Sequence, residues 1–207
     1  MILTERPRVP ADRVGAMPRL PFVDAESAPE PVRDALTATP APLALFRMVG
    51  HASTAFRPWL RYGGVLLSEL ELDPLVRELA IMEVAHLEGS EYEWVQHEGI
   101  TKAVGGSDEQ IVAIAEGDVD GPAFDERQAA ALQVTRSVVK DGAATEEEIY
   151  KLAALVGPRQ VVELLLVIGQ YLTVARLVAS VGLEPDPPVV PSSLTPDAEG
   201  EDAANTG

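Results

Sequence analysis

The sequence predicts an all-α protein, and three observations carry that prediction. From Arg77 to Val104, apolar side chains recur at helical spacing, about 100° per residue, in two segments that meet at Gly89. The residues from Pro158 to about Val181 are apolar nearly all round, which is typical of a helix inside a core or a subunit interface. No segment shows the alternating pattern that predicts a strand with confidence.

Prolines divide the first third of the chain. Residues 29–37 predict a short helix with proline in its first turn. After a break at Pro40 and Pro42, a helix is expected over residues 43–56. Pro58 is expected to end that helix, because proline lacks the N–H that continues one. A second helix is then expected over residues 59–70.

Helix caps mark the next elements. Asp73 and Pro74 favour a helix start, because aspartate caps free backbone N–H groups and proline fits the first helical position. Gly89 favours the end of that helix, and Ser90 is a cap for the next one. Residues 107–110, SDEQ, resemble a capping box and predict a short helix to about Gly117.

The last third of the chain predicts three further helices and a tail. Residues 125–140 form the first, Thr145 caps a second that ends near Gly157, and residues 158–181 form the longest. We divide the chain into a Pro/Arg-rich extended arm over residues 1–24, a helical domain over residues 25–184, and a disordered acidic tail over residues 185–207. The arm is either unstructured or lies over a neighbouring subunit.

Composition excludes several classes of function. The chain has 207 residues, 46% of them hydrophobic, which suffices for one domain with a sizeable core. The net charge of −17 argues against binding to nucleic acid or to anionic membranes. No cysteine is present, no secretory h-region follows the N-terminus, and the longest uncharged apolar run, residues 164–175, is too short to span a bilayer. We therefore expect a cytoplasmic protein.

Three of the ionisable side chains between Arg77 and Val104 lie on the predicted inner faces of the two segments and carry the functional hypotheses. Glu78 shares the apolar face of the first segment, where burial would raise its pKa unless a partner compensates. In the second segment, Glu93 and His97 lie one turn apart and on the same face as Ser90. A Glu–His pair at this spacing can form a hydrogen bond that fixes the imidazole tautomer.

The stretch from Arg77 to His97, RELAIMEVAHLEGSEYEWVQH, resembles the carboxymuconolactone decarboxylase and alkylhydroperoxidase D (AhpD-like) superfamily. The resemblance extends more weakly over most of residues 20–183. It implies an AhpD-like bundle of about eight helices that forms homo-oligomers, as dimers, trimers or hexamers. Glu78 matches the proton-relay glutamate of the family, and His97 matches its histidine.

This chain departs from the peroxidase branch of that superfamily. Ser90 and Glu93 stand where that branch has two cysteines, so the thiol–disulfide cycle is excluded. The YEWxxH motif is similar to a cysteine-free branch. The resemblance implies a lyase, isomerase or decarboxylase type of reaction on a small organic molecule.

Acid–base catalysis without a cofactor is the first functional hypothesis. His97 would be the main base or acid, Glu93 would orient it or share its proton, and Glu78 would be a buried relay. Further residues are expected at the pocket or behind it: Ser90, Tyr92, Trp94, His51, Gln170 and Tyr171. Ser90 has an alternative role as a helix cap, and His51 as a surface histidine.

A non-catalytic protein is the alternative. Glu78, Glu93 and His97 would then form a structural network, and the chain would bind a small molecule or serve in assembly. A metal held by Glu93, His97, Glu78 and His86 is a weaker possibility, because Glu-x-x-x-His pairs are common on helices and His86 is poorly aimed for a shared site. We predict no metal and no cofactor. Glu83 reverses the charge found in the ILRVA version of this helix, where it could change an ion pair between subunits or a contact to an anionic substrate.

Overall fold

The structure is a computed structural model, which describes residues 17–38 and 43–188. These residues form eight helices and no strand, in agreement with the predicted all-α class. The helices are α1 (Glu30–Ala38), α2 (Ala44–Val49), α3 (Ser53–Ser68), α4 (Pro74–Glu88), α5 (Glu91–Ala103), α6 (Asp108–Glu116), α7 (Glu126–Asp141) and α8 (Glu146–Val181).

Helix α4 lies at the centre of the fold. Every residue from Val76 to Ala85 is buried, and the helix packs against α5, α7 and α8. Its ends are those that the sequence predicts. The Asp73 carboxylate accepts the N–H groups of Leu75 and Val76, and Gly89 closes the helix in a left-handed conformation at φ 64°.

Three apolar clusters form the core of the described residues, and two of them include side chains of α4. The largest lies between α4, α7 and α8 and includes Ile81, Val134 and Ile168. A second joins α1, α2 and α3 to one side of α5 and to the end of α8. The third lies between α4 and α6. The faces of α4 therefore meet different neighbours, which explains why the helix is apolar nearly all round.

Helix α8 contains a sharp break near its first third. Gly157 has φ 83° and ψ 159°, and Pro158 follows it, so two helical segments meet there as the sequence predicts. By length and composition α8 also qualifies as a membrane-spanning helix, with a mean hydropathy of 1.8 over 18 residues. Its buried face packs against α3, α4, α5 and α7. It is therefore the core helix of this domain.

The predicted break at Pro58 is wrong. Helix α2 already ends at Val49, and α3 runs from Ser53 through Pro58 to Ser68. The N–H groups of Ala55 and Phe56 bond to the Ala52 carbonyl, so the helix forms before the proline. Phe56 is fully buried, which fixes this first turn in the core. Pro58 then removes a single backbone donor close to the helix start.

The predicted arm and tail both contact the domain of their own chain. The Arg19 guanidinium donates to the Ala179 carbonyl at 2.7 Å and to that of Ser180, and the Arg19 N–H bonds to Val181 at 2.8 Å. After α8, residues 183–188 return to α2 and α5. The predictions for residues 1–16 and 189–207 lie outside the described residues.

Candidate active site

A cavity of about 250 Å³ lies between α3, α5 and α8, with the start of α2 at its edge. Apolar side chains form most of its wall: Leu43, Leu45, Phe46, Trp59, Leu60, Leu67, Ile100 and Val174. Two glycines of α3, Gly63 and Gly64, also line it. The polar side chains at the wall are Tyr92, Glu93, Gln96, His97, Gln170 and Tyr171.

Two linked hydrogen bonds, from His97 to Glu78 and from Arg77 to Glu78, hold the His97 ring in place. The His97 Nδ1–H donates to Glu78 Oε2 at 2.8 Å, and Arg77 Nε donates to Glu78 Oε1 at 2.9 Å. Glu78 is fully buried, and Arg77 nearly so. In neutral His97 this contact places the proton on Nδ1 and leaves Nε2 as the proton acceptor. The Tyr171 ring lies edge-on to the imidazole, with ring centroids 4.9 Å apart.

Glu78 is held as a carboxylate. Burial alone would raise the pKa of Glu78, but the charge and hydrogen bond of His97, and then those of Arg77, lower it overall. The two donors therefore supply the compensation that a buried carboxylate requires. Glu78 acts on His97 as a fixed acceptor.

Glu93 is in the opposite situation. Its side chain is only 2% exposed, it lines the cavity, and neither carboxyl oxygen has a hydrogen-bond partner among the described residues. Burial raises the pKa of Glu93 to about 8, the nearby Ser90 hydroxyl opposes the shift, and the charge of Glu88 adds to it. At neutral pH this side chain is therefore a protonated carboxylic acid at the cavity wall.

The helical period of α5 brings Glu93 and His97 to the cavity together. Ser90 caps the helix by accepting the Glu93 N–H at 3.5 Å, which sets where the first turn begins. Glu93, His97 and Ile100 then follow on one face, as predicted. The acid Glu93 and the base His97 consequently line one cavity. Glu78 forms a hydrogen bond with His97 and none with Glu93.

The predicted hydrogen bond between Glu93 and His97 is not formed. His97 bonds to Glu78 instead, and neither oxygen of Glu93 has a hydrogen-bond partner in the part of the chain that the structure describes. The physical reason is the packing of α4 on α5, which brings the Glu78 carboxylate to Nδ1 of the ring. The orienting role that the sequence assigned to Glu93 therefore belongs to Glu78.

The remaining predicted residues divide into two groups. Tyr92, Gln170 and Tyr171 line the cavity. Ser90 is a helix cap, and Trp94 packs in the apolar cluster between α4 and α6. The prediction of His51 as a pocket residue is wrong. The side chain is exposed, as the alternative of a surface histidine requires, and its Nε2 donates to the Pro21 carbonyl at 2.7 Å.

Sequence reasoning missed the segment that follows α8. The Asp186 carboxylate accepts the Tyr92 hydroxyl at 2.5 Å and the Ala44 N–H at 2.8 Å. Gln96 Nε2 donates to the Asp186 carbonyl at 2.8 Å and to the Pro187 carbonyl at 3.2 Å. Burial and Asp186 both raise the pKa of Tyr92. The side chains of Tyr92 and Gln96 are therefore already hydrogen-bonded to other residues of the same chain.

Glu83 belongs to a second buried cluster, away from the cavity. Its Oε1 accepts Arg136 of α7 at 2.9 Å from Nε and 2.8 Å from Nη2. Burial raises the pKa of Glu83 to about 7, although Arg136 opposes the shift. The negative charge at this position therefore pairs with an arginine of the same chain. No group of three metal-ligand side chains occurs within residues 17–38 and 43–188.

Solved structures share this architecture. A peroxidase-related protein with an AhpD core from Ralstonia eutropha superposes with a TM-score of 0.71 at 16% identity, covering 83% of this chain and 93% of the other. A protein of unknown function from Agrobacterium tumefaciens, described as AhpD, gives a TM-score of 0.61 at 18% identity, over 67% and 95% of the two chains. The fold is therefore that of the AhpD-like proteins.

The sequence also matches a family model. Residues 54–137 match the carboxymuconolactone decarboxylase family, a range that contains Glu78, Glu93 and His97. This match covers 84 of the 207 residues, so the chain is similar to the family over that range and shares the fold of the AhpD-like proteins. Its lack of cysteine fits the cysteine-free branch. No curated protein matches the sequence. A debrominase in complex with 2,3,4-tribromopyrrole shares the fold at 15% identity and a TM-score of 0.64, over 80% of this chain and 90% of the other.

Proposed function

We propose that the protein is a cysteine-independent acid–base enzyme, of the lyase, isomerase or decarboxylase type, acting on a small organic molecule. One observation carries the proposal: a buried, unpartnered carboxylic acid and a histidine held by a carboxylate line the same cavity. An acid and a base whose environments differ are what proton transfer next to a carbonyl requires. The debrominase is a precedent for a small ring compound bound by this fold.

The proposed step moves two protons. His97 Nε2 takes a proton from the carbon next to the substrate carbonyl, and the Glu93 carboxylic acid gives its proton to the carbonyl oxygen. The product is a neutral enol, flanked by a histidinium and a carboxylate. Return of a proton from His97 to a carbon and from the enol oxygen to Glu93 restores both groups. Glu78 stabilises the histidinium as a positioning residue, through the hydrogen bond at Nδ1.

Deuterium exchange tests this step without knowledge of the natural substrate. Small ketones and lactones are incubated with the protein in D₂O, and loss of the proton next to the carbonyl is followed by NMR. Glu93→Gln and His97→Ala should each reduce the catalysed exchange by about 10²-fold or more. Glu98→Gln is the matched control, because Glu98 lies on α5 and pairs with Lys102 instead of lining the cavity. Equal exchange rates in all four proteins would end the proposal.

A non-catalytic binding protein is the alternative, and the mainly apolar wall of the cavity favours it. In that case Glu93 donates a hydrogen bond to a bound ligand and transfers no proton to it. The two functions differ in a simple way. The binding protein retains ligands in the cavity, but the exchange rate is that of buffer.

We also propose that the chain forms homo-oligomers in the cytoplasm. Val162 and Leu166 of α8 and Tyr62 of α3 are large apolar side chains left exposed on neighbouring helices. Burying them against a second copy would explain their exposure. Light scattering should report an oligomer for the natural chain and a smaller species for Leu166→Lys, and a monomer for both would contradict this part of the proposal.

A further inference from the structure

We infer that the cavity takes an uncharged, largely apolar molecule of about one ring, which offers an oxygen that accepts a hydrogen bond, and that it rejects small carboxylates. The inference rests on the proposed use of this cavity as a small-molecule site, and it names the class of molecule. It favours isomerisation or elimination of neutral compounds over decarboxylation of acids.

The wall of the cavity offers an anion no counter-charge except that of His97, which the Glu78 carboxylate already balances. Among the described residues no lysine or arginine lines it. Arg77 lies behind His97, where Glu78 already occupies it at 2.9 Å. A carboxylate placed here would lose its hydration and could pair only with His97, in competition with Glu78, which is costly in an apolar cavity.

Glu93 supplies the donor that a neutral oxygen needs. Both its oxygens are buried and have no hydrogen-bond partner within residues 17–38 and 43–188, so a ligand that enters gives this side chain a hydrogen bond that these residues do not supply. Tyr92 and Gln96 are already engaged with residues 186 and 187. Glu93 and His97 are therefore the pair that a carbonyl oxygen and its neighbouring carbon would meet.

The size of the ligand follows from the volume and from α3. A cavity of about 250 Å³ lies below the range of roughly 300–1,000 Å³ that holds drug-sized molecules. Two consecutive glycines, Gly63 and Gly64, stand in the middle of α3, where each costs about 1 kcal/mol against alanine. A Cβ at Gly64 would meet nothing within 4 Å, and one at Gly63 would lie 4.0 Å from Nε2 of Gln170, which also lines the cavity. These glycines widen the cavity for one ring.

The groups that face Glu93 come from three helices. Glu88 at the end of α4 and Tyr171 of α8 interact with it electrostatically, and His97 follows it on α5. The α3 side of the cavity carries apolar side chains and glycine. When Glu93 ionises, it stops donating a hydrogen bond and adds a negative charge to an apolar wall. Binding of a neutral carbonyl compound should weaken as that happens.

Two probes of the same size separate neutral from anionic binding. Acetophenone and benzoate have the same ring and equal numbers of non-hydrogen atoms, but benzoate is charged throughout the pH range used. Calorimetric titration of the full chain at pH 6.5 should give a dissociation constant about tenfold or more lower for acetophenone. At pH 9.5 its affinity should fall several-fold.

The Glu93→Gln variant, which keeps a neutral donor, should bind acetophenone at both pH values with the affinity of the natural chain at pH 6.5. Glu93→Leu should bind it more weakly at both. Thermal melts of each variant establish that it is folded.

Three results would overturn the inference: benzoate binding as tightly as acetophenone, no binding of acetophenone up to its solubility, or an unchanged pH dependence in Glu93→Gln. These results are distinct from failure of the proposed function. Tight benzoate binding with intact deuterium exchange rejects the class of ligand and keeps the enzyme. Tight acetophenone binding without exchange keeps the class of ligand and rejects the enzyme.

Discussion

Two buried acid clusters lie along α4, and they differ in what surrounds them. On one side Glu78 holds His97 beside a cavity, with the acid of Glu93 across from it. On the other side Glu83 binds Arg136, and neither Glu83 Oε2 nor the nearby His86 Nδ1 has a hydrogen-bond partner among the described residues. Both clusters contain a carboxyl group whose pKa burial raises, to about 8 for Glu93 and about 7 for Glu83.

The difference lies in the space available to a second molecule. Glu83 lies between α4 and α7, where the Arg136 side chain fills the gap and donates onward to the Gly117 carbonyl at 3.1 Å. Glu93 instead borders a cavity that no described side chain fills. A perturbed pKa therefore marks a functional site only where a substrate can reach the group. The following predictions test this contrast.

Removing Arg136 should have the largest effect on stability. Arg136→Met leaves Glu83 as an uncompensated buried charge, which should cost about 3–5 kcal/mol at pH 8.5. At pH 5.5 Glu83 can be protonated, so the cost should be clearly smaller. Denaturant unfolding at the two pH values measures this, with Arg127→Met as control, because Arg127 pairs with Asp125 at the surface. Equal losses at both pH values would show that packing, not charge, dominates.

Ionisation of Glu93 should lower stability as pH rises. The pKa of Glu93 in the folded state, about 8, lies above the unfolded value of 4.5. Its contribution to the free energy of unfolding is therefore fully present below pH 4.5 and is lost progressively as the pH rises to about 8. Glu93→Gln cannot ionise, so at pH 9 it should be more stable than the natural chain by about 2–4 kcal/mol, while the two should agree near pH 4.5. Chemical unfolding across this range is the measurement. A constant difference at all pH values would contradict it.

Glu78 and Glu83 should differ in their effect on the reaction. Glu78→Gln removes the carboxylate behind His97 and should slow catalysed deuterium exchange by about 10–100-fold, mainly through kcat and with a changed pH profile. Glu83→Gln should change the exchange rate less than about twofold, because it lies away from the cavity. A similar reduction of the exchange rate in the two variants would show that the two clusters do not differ in their effect on the reaction.

The smallest expected effect is at Gly64. Gly64→Ala should stabilise the chain by about 0.5–1 kcal/mol, because alanine favours the helix and its Cβ meets open space. The same methyl group should reduce the affinity for acetophenone, since it takes space from the cavity. Thermal melting and calorimetric titration test the two halves. A loss of stability would mean that the glycine serves backbone packing and not the cavity.

The helices were largely predictable because their signals are local. Asp73, Gly89 and Ser107 begin or end the elements that the sequence assigns to them. The error at Pro58 arose because tertiary burial of Phe56 decides where α3 begins, and no local pattern contains that information. Residues on one face of α5, such as Glu93 and His97, were predictable for the same reason as the helices.

The contacts between elements were not predictable from the sequence. Whether His97 bonds to Glu93 or to Glu78 depends on how α4 crosses α5. The contact of Tyr92 with Asp186 joins residues 94 positions apart, and Asp186 stands in a segment whose composition resembles a disordered tail. Neither contact leaves a periodic or compositional signal.

Asp186 has a practical consequence for anyone who shortens the chain. A truncation chosen by composition would cut after α8 and remove the carboxylate that accepts the Tyr92 hydroxyl and the Ala44 N–H. Both donors belong to residues at or beside the cavity wall, so the shortened protein would have a rebuilt cavity although every helix remained. A crystallisation or display variant trimmed after Pro188 retains these contacts, and activities measured on shorter versions would describe a different binding site.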